Sequence, residues 1–579
     1  MVLWAGELMF GVCRVRHPLG SIPAAACAGV TIVSLLMLPI VWFGGVTAAT
    51  AFGIVAICIC VLRLLLRERI AVMKDTHAYL DVLATCSLAL LVYWSCQSIA
   101  SALPDLGRSG ALHAWSDYYI HGVQIAEFGD PLAVGRGNVM MVDGPRNFYH
   151  YGVFMLPSAL LSISGLPGLG IATAVLLPMG LLVGWLGLYV LCAELGGRML
   201  GLVSALIVVF LPDPSGYGLR NGFFGFRWLM FTAPGSAYAI GVGAIGLVFI
   251  LHGMRGILQK RSWAVGFGLI ASLILIRAHM FLIEAPAALG AVLIHKLARR
   301  AGRRTITAGS LCLVLLLIVS VTTGGREIWT HEVSALFRFL DSVFRDMEPT
   351  AHAALGQSLV TQYGRLIATP IELLLVLLMS LGVFSVIFPA VCVIAWRRGS
   401  LAPEHLLLGL LVATFVLLVA FAPQAGNGDV SEYKQRHFVF LYSVIGASSI
   451  ALFIREGLPN LWHFSKKSKV LSMLFCLFLA LVIALFVRPV DAGRPVFAWG
   501  HAFYDTPIDA CMTQAASYIR PRARIGDVVA FGGNDAGTTL VDPATMLVSL
   551  VDVPAFLGRY AMQMARRSND GAPKNCSDE

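Results

Sequence analysis

"RSWAVGFGLIASLILIRAHMFLIEAPAALGAVLIHKLARR", Arg261 to Arg300, is the stretch on which the fold turns. It holds two apolar runs, Ser262–Ile276 and Met280–His295, joined by Ile276-Arg277-Ala278-His279. As one helix it would cross a membrane once, with a cation near its middle. As two helices it would turn back at Arg277. The flanks decide between these readings. Arg255, Lys260 and Arg261 come before it, and Lys296, Arg299, Arg300, Arg303 and Arg304 come after. Basic residues concentrate on the cytoplasmic side of membrane proteins. Both flanks therefore share a side, and the chain crosses twice.

The rest of the sequence extends the pattern. Of 579 residues, 58% are hydrophobic and only 13% charged, about half the charge of a soluble domain. Runs long enough for a hydrocarbon core of about 30 Å recur throughout. Thirteen crossings are expected: Ser21–Phe43, Val46–Arg67, Leu80–Ala102, Gly168–Ala193, Gly196–Pro212, Gly235–His252, Ser262–Ile276, Met280–His295, Ile306–Thr323, Ile371–Ala395, Leu406–Phe421, Phe438–Ile454 and Val470–Val487. This count puts "RLLLRERIAVMK", "HGMRGILQKRSW", "HKLARRAGRR", "WRRGS" and "SKKSK" all on the cytoplasmic side. The N-terminus is then cytoplasmic and the tail extracytoplasmic. The net charge of +10 follows from the same bias and does not point to nucleic acid. Ser21–Phe43 is too long for a signal-peptide core. No internal repeat of the transporter kind is visible.

The expected organisation is a transmembrane domain over 1–488 and an extracytoplasmic region over 489–579. Two outer loops are long, 103–151 and 324–370. The first is too aromatic for disorder, and "YGVFMLPSALLSISG" after it reads as a helix in the outer interface. In the tail, "ARIGDVVAFGGND" reads as a strand ending in a turn. "DPATMLVSLVDVPAFLGRY" reads as an amphipathic helix or a strand pair. Together they suggest a small α/β lobe on the outer face. Ten of the twelve cysteines lie in or near apolar runs. Cys511 and Cys576 could pair if the tail meets an oxidising compartment.

Four outer stretches carry ionisable groups. In "HAWSDYYIH", His113, Asp117 and His121 recur at helical spacing. They read either as the solvated face of a loop helix or as a site, with Asp117 the stronger functional candidate. Asp117 with His121 could hold a divalent metal such as Mg or Mn, though D-x-x-x-H alone is weak evidence. In "GPRNFYHYGVFMLPSAL", His150 sits between Tyr149 and Tyr151, as a site residue or part of an aromatic interface belt. In "IRAHM", Arg277 and His279 occupy the hairpin tip, to bind an anion or to snorkel. In "GNGDVSEYKQRHFVFLY", Asp429, Glu432, Lys434, Arg436 and His437 crowd the outer edge of a crossing, where a lipid phosphate would reward a cation. Arg108, Arg136, Arg220, Arg227 and Arg338 are further outer-loop arginines. A carboxylate can take a proton from a hydroxyl, and cations can hold a departing phosphate. The combination suggests group transfer at the outer face with a lipid-phosphate leaving group.

These residues resemble an integral-membrane glycosyltransferase of the GT-C class, in the bacterial branch that uses polyprenyl-phosphate sugars. "SDYYIH" is similar to the acid-plus-His pattern of that family's first outer loop. "NFYHYGVFMLPSALL" resembles its aromatic lead into a loop helix. "GDVSEYKQRHFVFLY" resembles its late Asp followed by an Arg opening a helix, and "DTPIDACMTQAASYIRPRARIGDVVAF" resembles its extracytoplasmic tails. Ser116 precedes a single Asp117, where relatives often double the acid, which leaves a metal open.

The resemblance implies an all-α GT-C-like fold in the bacterial plasma membrane. It implies inverting transfer of a hexose or pentose from a polyprenyl-phosphate donor to an extracytoplasmic glycan or lipid acceptor. Asp117 would be the general base, and Arg277 and Arg436 would hold the phosphate. His121 and His150 would orient substrate or metal, with His113, Tyr149, His279 and Asp429 completing the binding residues. A lipid-linked polysaccharide polymerase or ligase, a transporter or flippase, and a non-catalytic assembly protein are the alternatives. Ionisable residues gathered at outer helix ends, with nearly charge-free span interiors, weigh against the transporter.

Overall fold

The computed structural model describes residues 1–66, 78–100, 106, 110–112, 117–142, 144, 150–210, 226–300, 326–344, 351–422, 432–458, 487–490, 494–497, 506–530 and 543–556. In chain order the first helices are α1 (Val2–Val12), α2 (Ser21–Gly44), α3 (Ala48–Leu65), α4 (Ala78–Ala100), α5 (Asp117–Gly129) and α6 (Met155–Ser164). Then come α7 (Gly168–Gly196), α8 (Arg198–Phe210), α9 (Phe226–Thr232), α10 (Pro234–Met254) and α11 (Gln259–Arg300). The remainder are α12 (Arg326–Phe344), α13 (Ala351–Leu381), α14 (Phe384–Arg397), α15 (Pro403–Phe421), α16 (Phe438–Gly457), α17 (Ala510–Ile519) and α18 (Pro543–Val551). Among the described residues, eight helical stretches are long and apolar enough to cross a membrane, one of them the stretch 259–298. The chain is a predominantly helical, multi-pass membrane protein.

The stretch 259–300 is a hairpin of two helices. Arg277 interrupts it with an extended backbone, φ −164° and ψ 91°. In a straight helix Trp263 and Lys296 would stand about 50 Å apart; instead the Lys296 ammonium sits 4.4 Å over the Trp263 ring. Both arms flank α10, where a Cβ on Gly246 would lie 3.0 Å from Ile270 and 3.5 Å from Glu284 Oε1. Helix α10 is buried along its whole length and forms the centre of the bundle.

One end of the bundle gathers the flanks of the basic loops. Leu19 N–H donates to Glu194 at 2.6 Å, and His252 lies 3.2 Å from the same carboxylate. Arg255 and Arg455 hold Glu404 at 3.2 and 2.9 Å, and Arg455 also pairs with Glu456 at 2.7 Å. Arg398 donates to the Glu456 carbonyl. At the opposite end, Trp42 packs on Phe128 and Tyr151, so the first outer loop and the far end of α2 meet there. Helix α16 reaches the basic end through Arg455 and Glu456, whereas the tail sits on the first outer loop. Strand β1 (Ala111–Leu112) pairs with β6 (Thr506–Pro507), and Ala555 N–H donates to Val139 O at 2.8 Å. Residue 19 and the described tail are thus at opposite ends of the bundle. Two further strand pairs are local hairpins, β2 (Gly137–Asn138) with β3 (Met141–Val142) and β4 (Val487–Val490) with β5 (Arg494–Phe497).

Several expectations need correction. The expected crossing Ile371–Ala395 is divided at Gly382 (φ 53°), and the helix before it is broken again at Gly364 (φ 76°). Both are left-handed backbones that suit glycine. The loop 324–370 is largely helical. Leu336, Phe339, Leu340 and Val343 of α12 recur at i, i+3, i+4 and i+7 and are buried, and Asp341 pairs with Arg365 at 2.7 Å. Helix α1 was not foreseen; its Phe10 is fully buried and packs on Phe249 of α10. In the tail, the expected strand at Val529 is a single parallel bridge to Ala555, while of the two readings for the segment after Val541 the helix is the one observed, over Pro543–Val551. The expected crossing Ile306–Thr323 lies outside the described residues, as does Val470–Val487 except at Val487.

Candidate functional site

Helix α5 begins at Asp117, whose carboxylate in the first turn favours the helix dipole. Asp117 is half-buried. Tyr118, Tyr119, Ile125, Ala126 and Phe128 are fully buried or nearly so, and the face with Asp117, His121 and Gln124 is half-buried. Tyr118 donates its hydroxyl to the Phe231 carbonyl at the end of α9. One turn after Asp117, His121 Nε2 lies 3.3 Å from the Thr232 carbonyl, which it can only approach as donor. Its ring packs on Phe154 and Tyr118. Nδ1 is buried and has no hydrogen-bond partner among the described residues. Burial lowers the His121 pKa, partly offset by the negative charge of Asp117. The neutral ring thus keeps a lone pair on Nδ1.

The hairpin tip supplies the cation. Arg277 is 6% exposed, and its Nη1 donates to His150 Nε2 at 2.9 Å. A guanidinium has only donors, so His150 must accept through a lone pair. Burial, then the charge of Arg277, holds the His150 pKa well below the usual imidazole range, and the field of His121, His279 and Arg436 adds to this. Two residues along, His279 Nε2 lies 3.3 Å from Glu432 Oε1 and its ring lies beside Tyr433 and His437. Pairing with His279, reinforced by Arg436 and Arg277, holds the Glu432 carboxyl down at about 2. His437, fully buried, is lowered to about 3 by burial.

His121, His150, Arg277, His279 and Arg436 therefore come together at the end of the bundle opposite the basic loops, from four separate segments, with Asp117 one turn from His121. Glu432 completes the cluster; its place beside Arg436 in the sequence was visible, but its pairing with His279 was not. Lys434 belongs elsewhere. It is buried and donates to the Val419 and Ala420 carbonyls at 3.1 and 3.4 Å, capping the end of α15. His113, Tyr149 and Asp429 lie outside the described residues, as do Arg108 and Arg220. Arg338 is exposed on α12. Among the described residues, no group of three or more His, Cys, Asp or Glu is spaced to hold a metal ion. Of the expected Asp117 and His121 pair, His121 offers only Nδ1 as a ligand, since Nε2 faces a carbonyl.

The span interiors also need a correction. Glu284 is fully buried on the second arm of the hairpin, about 10 Å below Arg277 by helical rise. Neither carboxylate oxygen has a hydrogen-bond partner among the described residues. Gly243 makes its room: a Cβ there would stand 2.3 Å from Glu284 Oε2 and 2.7 Å from Phe440. A carboxyl in that setting is a functional candidate that hydropathy alone passes over.

No family model matches this chain, and no curated protein matches it. Among solved structures, the archaeal oligosaccharyltransferase AglB from Archaeoglobus fulgidus, in complex with an inhibitory peptide and a dolichol-phosphate, is similar at a TM-score of 0.33 and 13% identity. The match covers 84% of this chain and 65% of that one, just under two thirds of its length.

Proposed function

We infer that the protein is a membrane glycosyltransferase of the GT-C type, using a polyprenyl-phosphate sugar at the end of the bundle opposite the basic loops. The carrying observation is the convergence of Arg277, His150, His121 and Arg436, with Asp117 one turn from His121. An acceptor hydroxyl attacks the anomeric carbon while the bond from that carbon to the phosphate oxygen breaks. The hydroxyl proton passes to the Asp117 carboxylate, and the polyprenyl phosphate leaves with the electron pair. Arg277 and Arg436 hold the phosphate and stabilise its growing charge. His150, held neutral, aims the Arg277 fork, and His121 Nδ1 accepts from a substrate hydroxyl. The acceptor is a glycan or lipid outside the cytoplasm, and the basic loops put the N-terminus inside and the tail outside.

The test is transfer in membranes supplied with labelled polyprenyl-phosphate hexoses and pentoses. Asp117→Asn is expected to abolish transfer while insertion and expression persist. Undiminished turnover would remove Asp117 from the mechanism. Glu284 gives a second reading some support, because a buried carboxyl inside the spans is what a lipid transporter or flippase uses. In that case Glu284→Gln stops lipid movement and no sugar is transferred.

A further inference from the structure

At the far end of α5 from Asp117, the first long loop and the tail form an open recess of about 490 Å³, within the ~300–1,000 Å³ range of small-molecule sites. Asp130 and Leu132 line it from the loop, Thr513, Ser517 and Arg520 from α17 and its end, and Val551 from α18. The carboxylate is fixed in place, because Asp130 Oδ1 accepts the Leu132 N–H at 2.8 Å. Arg520 Nη2 donates to the Gly165 carbonyl at 2.7 Å and to Asp552 at 3.2 Å, which fixes the guanidinium in the wall. Thr513 and Ser517 donate to their own helix carbonyls at 2.8 and 2.7 Å, which leaves their oxygens as acceptors.

These walls select a chemistry. A fixed carboxylate and a fixed guanidinium both line the recess, so an anionic ligand meets Asp130 and a cationic one meets Arg520. A neutral ligand rich in hydroxyl donors satisfies the carboxylate and the two hydroxyl oxygens, and Leu132 and Val551 offer apolar surface to its C–H face. We propose that this recess between the first outer loop and the tail binds neutral sugar units of the acceptor glycan, as a subsite separate from the reacting centre. The proposal rests on the transferase reading above for the word acceptor. Helix α5 has 13 residues, so Asp130 lies about 20 Å from Asp117 along the helix. The sugar held here is several units away from the one that reacts.

The experiment uses the full chain in lipid nanodiscs. The probes are neutral gluco-, manno-, galacto- and arabino-tetrasaccharides, with a tetragalacturonate as the anionic control, and binding is read by saturation-transfer NMR and titration. At least one neutral tetrasaccharide is expected to bind and the anionic control to bind less well. Asp130→Asn keeps the acceptor for Leu132 N–H and removes the charge, and binding is expected to weaken at least tenfold. Ser517→Trp, on an exposed helix face, fills the recess and is expected to abolish binding. Failure of every neutral probe, preference for the anionic one, or binding undiminished in both variants would overturn the proposal. Asp117→Asn separates the two readings: saccharide binding that persists while transfer also persists sinks the catalytic assignment and leaves the subsite standing.

Discussion

Replacing Arg277 with glutamine removes the cation at the hairpin tip while keeping a hydrogen-bonding side chain of similar reach. In the structure Arg277 is 6% exposed and bonded to a buried, neutral His150 at 2.9 Å. Two effects follow. A lost preorganised donor to the leaving phosphate slows the chemical step by about 10²–10³-fold. A lost charged hydrogen bond to His150 costs about 1.5–3 kcal/mol of stability. Arg277→Lys keeps the charge but not the planar fork, so it is expected to fall between the two. The assay is donor-dependent transfer in proteoliposomes, with thermal melts on the same preparations. Arg277→Gln with wild-type transfer and an intact melt would refute the reasoning, because the cation would then have no part in holding phosphate. Loss of activity matched by loss of fold would be resolved by the Lys variant, which restores folding before it restores rate.

Other predictions follow from the buried carboxyls. Burial pushes the Asp552 carboxyl up to about 7, from an ordinary value of 3.8. A folded-state pKa raised in this way gives stability that is complete below about pH 4 and is lost as pH rises to 7. Asp552→Asn keeps an acceptor for the Gly168 N–H, now 2.7 Å away, and sheds the charge. Its melting temperature is expected to exceed wild type at pH 7–8 and to converge at pH 4; wild type gaining stability across that window would contradict this. Gly243→Ala drives a methyl into Glu284 and is expected to cost about 1–3 kcal/mol. Adding Glu284→Ala is expected to recover part of that loss in thermal melts, and a double variant no more stable than Gly243→Ala would show that the notch does not serve Glu284.

The hairpin at 259–300 was legible because its signal is local: two apolar runs with cations on both flanks. Arg277, His150 and Arg436 were legible for a related reason, since ionisable groups at helix ends stand out against apolar runs. What the sequence hides is pairing over distance. The Glu432 carboxylate beside His279, Lys434 capping α15 and Asp552 bonded to Gly168 each join segments that no periodicity connects. Glu284 is hidden differently. One acid in an apolar run barely changes its hydropathy, and its glycine notch belongs to another helix. Helix α12 has a regular apolar spacing, but it sits in a long segment between crossings whose length alone suggests a loop.

The most direct test of the central claim is an experimental structure of the protein with a polyprenyl phosphate bound. The account predicts the phosphate within ion-pair distance of Arg277 and Arg436, with the isoprenoid running down between the spans and Asp117 facing the same space. A phosphate bound instead at the basic end, beside Arg255 and Arg455, would contradict it.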